Sequence, residues 1–265
     1  MRIAICQPTY LPWLGYFGLM DDVDTFAFLD NVQFEKQSWQ QRNRIKTPTG
    51  LQWLTVPVIF RGRLGQTIQE VEIRDPKFSA KHLKAIELNY RRAPYFEEFF
   101  PGLVEILKSV EAGTRLADLT IRLTEWQAGL FGIGTRRLRS STLEAQGKRS
   151  GLLVAICRTL GASEYLSPIG SAEYLLQEMP LFAAAGIQVR FHNYGHPEYP
   201  QLFPPFAPYA CALDLLFNKG PRAMETIRRG RGTTLTPEQV RLAPALGHPG
   251  TMRPTSHTRV GNRAR

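Results

Sequence analysis

RIAICQPTYLPWLGYFGLMDDVDTFAFLDNVQF, residues 2–34, decides the fold class. Residues 2–6 run apolar through Ile3, Ala4, Ile5 and Cys6, as a strand covered on both faces does. A loop then crosses Pro8 and Pro12, Gly15–Met20 reads as a short helix, and residues 25–34 read as a second strand, apolar first and polar at its end. Strand, loop, helix, strand is a βαβ order, which favours parallel pairing and an α/β sheet.

Residues 51–60 and 67–73 read as paired strands around the turn RGRLGQ, with Pro57 marking an edge. From Lys77 to Phe131 the period becomes helical, over 77–91, 94–110 and 114–131. Their apolar stripes at three-to-four spacing read as core, so 77–131 is expected to be a helical insertion on the sheet. The βα rhythm resumes with a strand at 135–140, a helix at 148–160, a strand at 164–167, one or two helices within 171–185 and a strand at 187–192. Gly161 and Gly186 stand where helices end. A last helix spans about 208–218, and after about Arg229 apolar periodicity stops. The expected architecture is a mostly parallel Rossmann-like sheet flanked by helices, one domain over 1–228, and a disordered basic tail over 229–265.

The net charge of +10 at 265 residues suggests a polyanion partner until it is located. From Arg228 onward there are eight arginines and one acid, Glu238, whereas the preceding 227 residues carry 25 basic and 22 acidic side chains. The body is nearly neutral, which makes nucleic acid an improbable partner for it. Cys6, Cys157 and Cys211 lie far apart, which argues against a disulfide framework or a zinc site. No cleavable signal is recognisable, and no run approaches the ~20 apolar residues of a membrane span. A cytoplasmic protein is expected.

In an open α/β sheet, ligands lie outside the carboxyl ends of the strands. That rule selects four polar, aromatic or glycine-rich segments: Gln7, Tyr10, Trp13, Gly15 and Tyr16; Asp30, Asn31, Gln33 and Glu35; Ser167 and Gly170; and His192 to Gln201, with His196 and Tyr199. Gly15 at the start of the first helix either admits an anion to the helix terminus or simply allows close packing. The opening resembles in shape that of nucleotidyltransferases, but Trp13-Leu14-Gly15-Tyr16 lacks both histidines of their motif. Arg42, Arg44 and Lys46, with Asn43 among them, alternate. In an extended segment the three cations face one side, as a phosphate or carboxylate clamp or as a solvated edge. His196, between Gly195 and Pro197, is the candidate general base, and His192 with His196 lacks a third metal ligand. Asp214, among leucines, is either a core buttress or a pKa-shifted participant.

IAICQPTYLPWLGYF, FLDNVQFEKQSWQQRNRIKTPTGLQWLTVPV, CRTLGASEYLS and HPEYPQLF with LDLLFNKGP resemble, in this order, the signature blocks of the WbqC-like family. The blocks run to about Pro221, leaving the arginine-rich tail outside. Cys6 stands where that family usually has histidine, and Pro168-Ile169-Gly170 is poorer in glycine than the family's loop. The resemblance implies bacterial O-antigen or surface-polysaccharide (lipopolysaccharide) biosynthesis, with acyl or aminoacyl (glycyl) transfer onto a nucleotide-linked amino sugar. In that reading Gly15, Arg42, Arg44 and Lys46 hold phosphates of a nucleotide or nucleotide-activated donor. Tyr10, Trp13 and Tyr16 stack on a base or sugar, Asp30 or His196 takes the proton, and Gln7, Asn31, Gln33, Asn43, Ser167, Gly170, Tyr199, Gln201 and Asp214 complete the site. A non-catalytic nucleotide-sugar binding protein of an assembly complex, or a nucleotidyltransferase-like enzyme, are the alternatives. The cofactor and oligomeric state stay unassigned.

Overall fold

The structure is a computed structural model that describes residues 1–242. The chain runs β1 (Arg2–Cys6), α1 (Leu14–Asp21), β2 (Thr25–Phe28), β3 (Arg42–Thr47) and β4 (Gly50–Thr55), then three helices, α2 (Phe78–Tyr90), α3 (Phe96–Lys108) and α4 (Leu116–Leu130). It continues through β5 (Arg136–Arg139), α5 (Ser150–Thr159), β6 (Glu164–Pro168), α6 (Ala172–Leu175), α7 (Met179–Ala184) and β7 (Gln188–His192). Three helices close it: α8 (Ala212–Lys219), α9 (Ala223–Arg229) and α10 (Pro237–Leu242).

Five strands form one sheet in the order β5-β2-β1-β6-β7, every neighbouring pair parallel. The apolar runs of β1 and β2 have this fate because both faces of the sheet are covered. With a period of two, Ala4, Cys6, Phe26, Phe28 and Leu166 point to one core, while Ile3, Ile5, Ala27, Tyr165 and Val189 point to the other. The helical insertion joins the first core through residues such as Ile86, Leu103 and Leu123, all fully buried. The order of the strands reverses between β1 and β6: the chain leaves β1 toward β2 and β5, then returns to lay β6 on the opposite side. That gap is the topological switch point of a doubly wound sheet, where ligands bind. Gly161 and Gly186 follow their helices in the left-handed conformation, each at φ +68°.

Three expectations are corrected. The hairpin forms between β3 and β4, with Thr47 opposite Gly50, and not between 51–60 and 67–73. Pro48 sets a tight turn there, while residues 67–73 make only isolated bridges, such as Val58 with Ile73. The second strand ends at Phe28, so Asp30 to Phe34 belong to the loop beyond it. The ordered body also continues past Arg228. Leu235 exchanges backbone hydrogen bonds with Phe191 of β7, and Val240 of α10 is buried against the second core. Arg231 pairs with Asp21 and Asp22 at the end of α1. Arginine in this stretch is tied to acids of the body, which charge counting along the chain cannot see. The rest of the expected tail, 243–265, lies outside the described residues.

Candidate functional site

Two adjoining clefts open at the carboxyl edge of the sheet. The first, of about 490 Å³, straddles the β1/β6 switch point and is lined by Cys6, Gln7, Trp13, Gly15, Tyr16, Trp39, Ile169, Gly170 and Tyr174, among others. The second, of about 940 Å³, lies toward β2 and is lined by Asn31, Gln33, Lys148 and Arg149. Gln7, Leu29, Glu35, Leu153 and Tyr174 belong to both walls, and Glu35 is the single carboxylate lining either cleft.

The loop after β1 divides between core and cleft. Gln7 is exposed at the junction; its side-chain oxygen accepts from Gln40 Nε2 at 2.9 Å, and its backbone oxygen accepts from the Tyr16 hydroxyl at 3.2 Å. Trp13 and Tyr16 line the first cleft, but Tyr16 is buried with its ring against Phe17 and Phe26. Gly15 serves packing: a Cβ there would lie inside the Trp13 indole, which folds across the start of α1. Tyr10, expected to stack on ligand, is fully buried, and a 2.8 Å hydrogen bond joins its hydroxyl to His82 Nδ1 under α2. Burial lowers His82 to about 4. Cys6 stands at the carboxyl end of β1, and burial pushes its thiol up to about 12, so it sits in the wall as a neutral apolar group.

Asp30, a candidate base, is fully buried and its carboxylate is occupied. Arg139 Nε donates to it at 2.6 Å, the Ser141 hydroxyl at 2.8 Å, the Ser141 backbone N–H at 3.0 Å and the Ser140 hydroxyl at 3.2 Å. Arg139 and Ser141 clamp the carboxylate between the ends of β2 and β5, with the Ser140 hydroxyl beside it, so Asp30 is engaged internally. The single Ser140 hydroxyl proton can go instead to Asn31 Oδ1, the shorter contact at 2.7 Å, which holds that side chain at the second cleft.

His196 lies outside both clefts, in an aromatic cluster with Trp13 (centroids 6.1 Å apart), Tyr209 (4.9 Å) and Phe206 (5.8 Å). Burial lowers it to about 4, so the ring is neutral near pH 7. Tyr199 and Gln201 donate to Asp214 Oδ2 at 2.8 and 2.9 Å. Asp214 is fully buried, and burial raises its carboxyl against hydrogen bonds from Tyr199, Tyr90 and Gln201. These three form an internal brace behind the cluster. Ser167 is buried at the end of β6, while Gly170 reaches the first cleft.

On β3, Asn43 points inward and donates to Leu11 O at 2.7 Å. Lys46 is buried, donating from Nζ to Pro205 O at 2.7 Å. Arg42 and Arg44 share the face of Lys46, opposite Asn43, and stack on Trp53 and Trp39.

The structure adds residues to this site. Glu35 was within the strand-end segments but carried no distinguishing pattern. His192, buried at the end of β7, and Trp39 line the first cleft. Lys148 and Arg149 come from the approach to α5, where no motif marks them. Among the described residues, no group of three His, Cys, Asp or Glu side chains is placed to hold a metal, and no helix is long and apolar enough to cross a membrane.

Strand order and a switch-point cleft with a polar, aromatic lining define a doubly wound α/β protein with a cleft at the β1/β6 gap. The model of the WbqC-like protein family matches residues 7–226, and the chain belongs to that family. It is 37% identical over 228 residues to the uncharacterized protein Rv1507c of Mycobacterium tuberculosis, covering 86% of this chain and 97% of that one. No solved structure matches the chain.

Proposed function

We propose that the protein is a group-transfer enzyme of surface-polysaccharide biosynthesis that acylates or aminoacylates the amine of a nucleotide-linked amino sugar. The observation that carries this reading is the meeting of two clefts at Glu35 and Gln7. A transfer reaction needs two reactants held side by side, and one carboxylate stands where they would touch. The amine attacks the acyl carbonyl, Glu35 accepts the amine proton as general base, and the donor's leaving group departs. Trp13 and Tyr174, both partly exposed at the first cleft, offer ring faces to sugar or base. The Gln7 side chain, held by Gln40, orients the reacting groups.

The test is titration of the protein with uridine-diphosphate amino sugars by calorimetry, followed by mass spectrometry of products with glycyl and acetyl donors. Glu35→Gln should keep binding and lose transfer by about 100-fold or more, the contribution of a positioned base. Equal turnover by that variant, or no nucleotide-sugar binding at all, overturns the proposal.

A non-catalytic nucleotide-sugar binding protein is the second reading. It is favoured by the internal engagement of Asp30 and the position of His196 outside both clefts, which leave a single acid at the junction. Turnover of bound ligand rules it out.

A further inference from the structure

We propose that Arg42 and Arg44 form a two-pronged anion clamp at the rim of the β1/β6 cleft, taking the diphosphate of a nucleotide-linked substrate. The assignment of that substrate rests on the proposed function above; the clamp itself rests on the hairpin.

The two arginines alternate on β3, so their side chains leave one face with Cα atoms about 7 Å apart. The Arg42 guanidinium lies 4.3 Å from the Trp53 ring centroid, and that of Arg44 lies 5.4 Å from Trp53 and 5.5 Å from Trp39. The two indoles are themselves 5.2 Å apart. A guanidinium lying over an indole keeps its N–H donors in its own plane, directed away from the ring. The tryptophans thus orient the cations, and the cations cover the tryptophan faces. That leaves the N–H edges as a binding surface, the geometry that grips phosphate oxygens in pairs.

Neither guanidinium is otherwise used. Among the described residues seven arginines are half-buried: 2, 42, 44, 137, 139, 190 and 231. Arg2, Arg139 and Arg231 pair with carboxylates, Arg137 donates to backbone carbonyls and Arg190 donates to Thr234. Arg42 and Arg44 donate to no oxygen, and Nε of each is buried without a partner. Two like charges side by side, half withdrawn from water and with no counter-ion among the described residues, are unfavourable. A cation–π contact offsets only about 0.5–1 kcal/mol at an exposed site. Burial lowers the Arg44 pKa accordingly. A bound dianion removes both penalties at once.

Position relates the clamp to the cleft. Trp39 lines the first cleft and lies against the Arg44 guanidinium, and Gln40, the next residue, donates to Gln7 at the junction. Lys46, the third cation on that face, is buried and engaged by the Pro205 carbonyl, so two prongs remain, matching the two phosphates.

The experiment is calorimetric titration of the full chain with inorganic pyrophosphate, uridine diphosphate, uridine and a uridine-diphosphate amino sugar. Wild type is compared with Arg42→Gln/Arg44→Gln, with Arg42→Lys/Arg44→Lys and with Trp53→Phe. Pyrophosphate and uridine diphosphate should bind wild type and lose at least tenfold in affinity in the glutamine pair. The lysine pair, which keeps both charges and folds with the same electrostatics, should lose several-fold because its ammonium groups have no planar fork. Trp53→Phe should weaken diphosphate while leaving uridine unchanged. Absence of pyrophosphate binding to wild type, or equal affinity in the glutamine pair, overturns the clamp. Nucleotide-sugar binding that survives the arginine substitutions refutes the clamp and leaves the proposed function standing. Arginine-dependent pyrophosphate binding without nucleotide-sugar binding does the reverse.

Discussion

The indole of Trp13 occupies the space that a side chain on Gly15 would need. Two residues apart in sequence, they fix one another: the ring folds back over the first turn of α1, and only hydrogen at position 15 allows it. The same ring contacts Tyr194, His196 and Tyr209, so it joins the first cleft to the aromatic cluster behind it. Gly15→Ala should cost about 1–3 kcal/mol, the range for forcing extra volume into a packed site. It should also shift tryptophan emission. Urea unfolding and fluorescence check both; unchanged stability would remove the packing role.

Asp30 should behave as a structural anchor. Asp30→Asn leaves Arg139 facing a neutral amide between the ends of β2 and β5. Because the arginine is partly solvated, the loss should fall at the lower end for a broken ion pair, about 2–3 kcal/mol. Denaturant titration measures it. The pH profile of any transfer activity should keep its shape in this variant; loss of its acid limb would instead make Asp30 a base.

Acid should weaken the fold through its buried histidines. An unfolded histidine titrates near 6.5, while His82 and His196 titrate at about 4 in the folded chain. Between these values the unfolded chain binds protons that the folded chain does not, so stability falls as pH drops from 6.5 toward 4. His82 should contribute on the order of 2 kcal/mol of loss between pH 7.5 and 5. His82→Gln should flatten that part of the curve; an unchanged slope refutes the assignment.

The cysteines should be silent. Burial pushes Cys6, Cys157 and Cys211 up to about 12, so at pH 8 almost no thiolate exists to react. A chromogenic disulfide reagent should label none of them on a timescale of minutes and all of them in denaturant. Rapid labelling of the native protein would show an accessible thiolate at the cleft.

The segment after Gly230 should act as part of the body. Ending the chain at Gly230 removes Arg231 from Asp21 and Asp22, Leu235 from Phe191, and Val240 from the second core. A melting temperature lower by several degrees is expected, consistent with the loss of one or two kcal/mol. Equal melting would place the boundary of the fold near residue 229.

Much of the fold was legible along the chain because its signals are local. Apolar runs at 2–6 and 25–28 gave buried parallel strands, and Gly161 and Gly186 ended their helices. The hairpin was misread because RGRLGQ and Thr47-Pro48-Thr49-Gly50 both permit a turn, and nothing local decides which strands then pair. The site was only half legible. The strand-end rule found Gln7, Trp13, Tyr16, Asn31, Gln33 and Gly170, all at the clefts. It equally selected Tyr10, Asp30 and His196, which packing turns inward or aside.

The sequence by itself determined the βαβ class, the helical insertion, the alternation of cations on β3 and the family, because periodicity and block order are properties of neighbours in the chain. Tertiary structure alone decided which polar groups remain available. Asp30 is consumed by Arg139, more than a hundred residues away, and Lys46 by Pro205. Arg42 and Arg44 find no acid among the described residues. A side chain's chemistry is written in the sequence, but whether that chemistry is already spent depends on distant partners that only folding brings within hydrogen-bond reach.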